Sequence, residues 1–231
     1  MYEVYYISQY FPLSISDPSL RKYIEHHLGS CIKCTENELY SSAYSHLHIL
    51  YMTFIYIQLF RIAQNKEREE EFKNFLQDFK TKNRAKDIKK EVKHPFELSL
   101  ANEKIIFDFF YILGFEYKFV KDISEVVKTR NDHLHANGKL FFETSEDFEK
   151  AIGIYINNMQ NITIKQLDFL KIIYQSLVTI YEEGFEITQD EINTNFADQY
   201  YFSEYELSLL AEGKDDIVSK YITQNIVEED I

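Results

Sequence analysis

Apolar positions recur at helical spacing, segment after segment, along this chain. Asp17-Pro18, an N-cap residue followed by proline at the first helical position, opens a short helix for which Gly29 is the expected stop. Thr35 and Glu38 have capping-box spacing and start a long helix expected to reach about Asn65. Its apolar positions are Leu39, Ala43, Leu47, Leu50, Phe54, Leu59 and Ile62. Residues 66–79 keep Phe72, Phe75, Leu76 and Phe79 on one face among charges, an amphipathic helix packed on the long one. From Leu98 to Leu113 the pattern returns through Leu100, Ala101, Ile105, Ile106, Phe109 and Phe110, with Gly114 as the stop.

The next helix is expected over about 119–136, where Phe119, Ile123, Val126 and Val127 are continued by Arg130 and Leu134 before Asn137-Gly138 ends it. Ser145, with Glu146 and Asp147 in the first turn, begins a helix carrying Phe148, Ala151, Ile152, Tyr155 and Met159. After a break expected near Asn161, Ile164, Leu167, Leu170, Ile173, Leu177, Ile180 and Tyr181 form a further helix closed by Gly184. Ser203 and Glu206 make a second capping box ahead of Leu207, Leu209 and Leu210, and Ile217, Val218 and Tyr221 suggest one more short helix.

Composition agrees with this helical reading. Only 6 Gly and 3 Pro punctuate 231 residues, whereas a β-rich fold needs a turn signal every ~10 residues. Hydrophobic residues make up 45% and aromatics 16%, well above a disordered chain. The expectation is an all-α bundle over residues 1–184 with a helical, acidic C-terminal appendage over 185–231.

Residues 39–60 contain no Asp, Glu, Lys or Arg, a length that could span a bilayer. Ser41, Ser42, Ser45, His46, His48, Thr53 and Gln58 interrupt the run and favour a central buried helix. With no basic, leucine-rich leader at the N-terminus, a cytoplasmic location and no membrane partner are expected. Cys31 and Cys34 read as two free thiols. His26 and His27 lie upstream, but a Cys2His2 site would draw four ligands from nine consecutive residues without paired spacing, so no metal is assigned.

The net charge of −13 is unevenly placed. Residues 182–231 hold 14 acids against Lys214 and Lys220, a balance of −12. Residues 80–93 hold Lys80, Lys82, Arg84, Lys86, Lys89, Lys90 and Lys93 against Asp87 and Glu91, a balance of +5. A basic segment and an acidic tail hint at a polyanion partner or at masking of one by the other. The lysine run is equally well read as a solvated loop, and the apolar Leu207, Leu209 and Leu210 as a sign that the tail is packed.

One constellation carries chemistry: Thr129-Arg130-Asn131-Asp132-His133-Leu134-His135. On a helix Asn131 and His135 share a face, about 40° apart, while Arg130 lies about 140° from His135 and prolongs the apolar stripe. A guanidinium there must meet an acid, a phosphate or another subunit. Nearby Asp132 or Glu125 would satisfy it structurally, and His135 would then be a cation near a helix C-terminus.

Arg130, Asn131 and His135 resemble the motif of the HEPN superfamily, in which Arg, often followed by a polar residue, precedes His by four to six residues. The resemblance covers a short stretch, set late in a helical chain as in that family. It implies an antiparallel helical bundle and a metal-independent endoribonuclease, a toxin or defence effector, with no cofactor. The RNA 2′-hydroxyl attacks the adjacent phosphate, leaving a 2′,3′-cyclic phosphate and a 5′-hydroxyl. His135 would exchange the proton near neutral pH and Arg130 would stabilise the charge on phosphorus. Asn131 would orient His135 or bond the phosphate, and Asp132 and His133 are supporting candidates. One helix does not bring Arg130 and His135 to one atom, so a homodimer with both motifs facing one cleft is expected.

The residues of 80–93 are the candidate RNA contacts, and an antitoxin or regulatory protein is a further candidate partner. Asn137 stands where antitoxin-controlled members commonly carry Tyr, so control by modification of that tyrosine is not expected. The rival reading is a catalytically silent HEPN-like module for dimerisation or partner binding, in which Arg130 is buried in an ion pair. A small-molecule binding bundle is a third.

Overall fold

A computed structural model of the protein describes residues 3–12, 17–64, 69–81, 92–135, 141–182, 200–212, 214 and 218–219. Every regular element among them is helical, with an isolated antiparallel bridge between Pro12 and Ser203. The fold class is therefore all-α. The order is a 3₁₀ helix (Glu3–Tyr10), α1 (Pro18–Glu36), α2 (Tyr40–Gln64), α3 (Glu69–Thr81), a 3₁₀ helix (Pro95–Leu100), a single turn α4 (Glu103–Ile106), a 3₁₀ helix (Phe107–Leu113), α5 (Tyr117–Leu134), α6 (Ser145–Glu182) and α7 (Glu204–Ala211). None of these helices is long and apolar enough to cross a membrane.

The chain divides into two compact units, the first chiefly His27–Asn158 and the second Val4–His26 with Met159–Ile231. The neighbourhood of residue 184, where the sequence reading sets its boundary, lies outside the described residues.

α2 is the core of the first unit and is buried without interruption from Leu50 to Ile62, its polar residues included: Thr53 donates to the Ile49 carbonyl (2.9 Å) and Arg61 Nη1 to Gln58 Oε1 (3.0 Å). From α3, Phe72 and Leu76 are buried, and the rings of Phe72 and Phe75 meet Phe109 at 4.9 and 5.0 Å. The apolar run from Leu98 to Leu113 breaks into two 3₁₀ helices around α4. Phe107, Phe109, Phe110 and Ile112 are buried, while the less buried Asp108 and Tyr111 and the exposed Gly114 follow at intervals of three, the repeat of a 3₁₀ helix rather than of an α-helix. Gly114 ends it as expected, in the left-handed conformation at φ 75°.

Two joints differ from their sequence signals. α1 continues through Gly29 to Glu36, and Thr35, inside that helix, donates its hydroxyl to the Cys31 carbonyl (2.8 Å) instead of capping α2. The chain reverses at Glu38, whose φ is 58°. There the Leu39 N–H reaches the Cys34 carbonyl (2.8 Å) and the Glu38 N–H the Thr35 carbonyl (3.1 Å), a Schellman closure built without glycine. The entry to α6 is capped by Thr144 rather than Ser145, its hydroxyl accepting from the Asp147 N–H (3.2 Å). α6 also passes Asn161 unbroken, because buried Met159 and Ile162 keep its apolar stripe in register.

In the second unit, Asp17 caps α1 through hydrogen bonds from the Ser19 and Leu20 N–H groups (2.8 and 3.2 Å). Ser203 and Glu206 form the expected capping box and are both buried. Leu170, Ile173, Tyr174 and Val178 share one core with Phe202, Leu207, Leu210 and Val218. The described part of the acidic tail is thus packed structure. Of the residues expected to form a final short helix, Val218 is buried there, while Ile217 and Tyr221 lie outside the description.

Candidate functional site

α5 carries the motif in the first unit. Val120, Ile123, Val126 and Val127 are buried, and the stripe ends at half-buried Arg130, since Leu134 is 58% exposed. The guanidinium meets an acid from a distant element. Its Nη2 is ion-paired with Oε2 of Glu103, the first residue of α4, and Nη1 donates to Oδ1 of Asn131 (2.9 Å). The partner is therefore neither Asp132 nor Glu125, the acids nearest in sequence, and Glu125 pairs with Lys128 instead (3.4 Å).

Glu103 is shared. The same Oε2 lies 3.4 Å from Nε2 of His48, a buried residue of α2. On the other side of the ring, Nδ1 is 2.9 Å from the Tyr155 hydroxyl of α6, which is 3.1 Å from that of Tyr44. A continuous polar chain, Arg130–Glu103–His48–Tyr155–Tyr44, thus crosses the core of this unit. Burial holds His48 below the usual imidazole range, only partly offset by Glu103, so the ring is neutral at pH 7. Burial alone would push Glu103 up, but the hydrogen bonds and charges of His48 and Arg130 outweigh it and hold the carboxyl below its ordinary range. Glu103 is thus ionised and neutralises the arginine.

His135 sits differently. Its N–H still bonds the Asn131 carbonyl (3.0 Å), but its own backbone is extended (φ −82°, ψ 140°), and it caps α5 rather than continuing it. The side chain is exposed, and among the described residues no hydrogen bond or ion pair joins it to Arg130. The structure brings together Arg130, Asn131, Glu103 and His48, and leaves His135 at the helix end.

His133, read as supporting, is a packing residue. Its Nε2 lies 3.2 Å from the Ser41 carbonyl oxygen, and its ring stands edge-on to Tyr44, Phe141 and Phe142 at 5.4, 5.8 and 5.5 Å. These contacts fasten the end of α5 to the first turn of α2. Asp132 is exposed.

Sequence reasoning missed Glu103 and His48. The usable signal was a histidine within the charge-free run 39–60, which when buried must find a polar partner away from its own helix.

Of the basic candidates, Lys93 is exposed, and the side chain of Lys80 together with Lys82, Arg84, Lys86, Lys89 and Lys90 lies outside the described residues. Cys31 and Cys34 are free thiols. Burial, with Cys34 adding to it, pushes the Cys31 thiol up to about 12, and its Sγ donates to the Ala43 carbonyl (3.5 Å). His27 instead meets His46, with the two Nδ1 atoms 2.9 Å apart. Among the described residues no group of three or more His, Cys, Asp or Glu is placed to hold a metal ion.

The chain matches no protein-family model, no curated protein and no solved structure.

Proposed function

We propose that the protein is a metal-independent endoribonuclease of HEPN type, acting as a toxin or defence effector within a helical bundle of that kind. The observation that carries the reading is the state of Arg130. It is anchored by Glu103 and Asn131 yet keeps 24% of its side chain exposed. A guanidinium has five N–H donors, and these two partners leave others free for phosphate oxygens.

In the proposed step the 2′-hydroxyl loses its proton to His135 as its oxygen bonds to phosphorus. The P–O5′ bond breaks, and the departing oxygen takes up a proton, which His135 of a second copy would supply. The products are a 2′,3′-cyclic phosphate and a 5′-hydroxyl. An exposed histidine on extended backbone at a helix end is accessible to a second copy, as a composite site requires.

One observation favours the silent alternative: Arg130 is already neutralised by Glu103, which is how a purely structural ion pair would look. Incubation of mixed RNA with the protein in EDTA separates the two. Cleavage with cyclic-phosphate ends that is lost in His135→Ala and Arg130→Ala is the expected result. If the wild type and both variants leave the RNA equally intact, the pair is structural.

A further inference from the structure

Tyr117, Lys121, Ser124, Lys128 and Asn131 are spaced by four, three, four and three residues and form one stripe of α5. This stripe lines an open cavity of about 640 Å³ whose other wall includes Asp108 and Tyr111. The volume is within the usual range for small-ligand sites, ~300–1,000 Å³. Asn131, which accepts from Arg130, is at one end of the stripe. We infer that this cavity holds one nucleotide of a single-stranded RNA, the unit adjoining the phosphate that is cut; in that last point the inference rests on the function proposed above.

The chemistry of the wall selects the occupant. Lys128 is neutralised by Glu125, and Asp108 adds a further negative charge, so the cavity is not a general anion trap. Lys121 has no ion pair among the described residues and supplies one ammonium for one phosphate. The rings of Tyr111 and Tyr117 offer stacking faces for a base, and Tyr117 is 71% exposed. The Asn131 amide nitrogen donates, while the Asp108 carboxylate and the Ser124 hydroxyl, whose own proton goes to the Lys121 carbonyl (2.8 Å), accept, which suits the edge of a base or a ribose hydroxyl. A base in a duplex has its faces covered and cannot use the tyrosines, so the site reads single strands.

The probe is a fluorescein-labelled, mixed-sequence 2′-O-methyl oligoribonucleotide, which cannot undergo 2′-hydroxyl attack, with its hybridised duplex as comparison. Tyr117→Ala and Lys121→Ala alter exposed side chains, and unchanged thermal unfolding would verify their folding. Tyr117→Ala should weaken binding of the single strand about tenfold, the scale of one base–aromatic contact, Lys121→Ala should weaken it at low salt and reduce its salt dependence, and the duplex should bind less well than the single strand. On cleavable RNA the same variants should raise KM and leave kcat within about twofold.

Wild-type affinity in both variants, or equal binding of duplex, would overturn the inference. Cleavage by the wild type with unaltered KM in the variants would reject the cavity and leave the ribonuclease reading standing. Tyr117-dependent binding without any cleavage would uphold a nucleotide site and reject catalysis.

Discussion

The ion pair at Arg130 ties the motif to the protonation state of the core. His48 is held neutral by burial, while the unfolded chain takes up its proton at about pH 6.5. Its folded value is lowered, so its contribution to stability is complete above about pH 6.5 and is lost as pH falls from there towards the folded value. Glu103 is also lowered, so its share is present above the ordinary carboxylate range and goes at still lower pH. Unfolding free energies from denaturant titrations between pH 7 and pH 5 should therefore fall, with a slope from His48 of at most about 1.4 kcal/mol per pH unit. His48→Gln should show a shallower fall; parallel curves for the two proteins would mean that His48 does not titrate in this window. The arginine end of this chain was legible because a guanidinium at the end of an apolar stripe needs a counter-charge. Its partners were not, since α4 and α2 reach α5 only through tertiary packing and leave no trace in local spacing.

Helices were readable where a cap or a stripe decided the matter and unreadable where a single residue had two uses. Asp17 and the Ser203–Glu206 box cap as their spacing indicates, and Gly114 stops its segment in the left-handed region. Gly29 has the same local appearance as a stop, yet it lies inside α1, and the left-handed turn is taken by Glu38 nine residues later. Propensity alone could not choose between them, because buried Cys31 and Thr35 hold the helix past the glycine. The two glycines should consequently respond in opposite directions to the same change. At Gly29 an added methyl meets nothing within 4 Å, and relief of glycine's entropy in a helix interior should raise stability by ~0.5–1 kcal/mol. At Gly114 space is also open, but φ is 75°, so Gly114→Ala should lower stability by ~1–2 kcal/mol. Both residues belong to the first unit, so one urea titration reports both. Equal shifts would mean that these backbone conformations are not maintained.

At the scale of the whole molecule, the acidic tail and the exposed apolar residues bear on assembly. Part of the tail's apolar content is used internally, by Phe202, Leu207 and Leu210, so truncation near residue 184 would open a core rather than simply remove charge. Apolar residues left outside are better candidates for a partner. Leu134, 58% exposed, precedes His135, and Leu39, 56% exposed, precedes the first turn of α2. The contact of His133 with Ser41 fastens those two helix ends together, so both leucines flank the end of the motif. Two copies joined across this end would cover apolar surface and bring their His135 side chains towards a common cleft, as the proposed mechanism requires. Leu134→Asp puts two like charges near such a two-fold axis and should convert a dimer to a monomer in sedimentation at micromolar concentration. Cleavage should fall at least about tenfold with His135 intact, on the general scale of losing one positioned acid–base group. Ile154→Asp makes the same change at a comparably exposed site on α6 and should alter neither property. A Leu134→Asp monomer that cuts RNA as well as the wild type would show the site to be complete within one chain. A variant that stays dimeric would place the interface on another face.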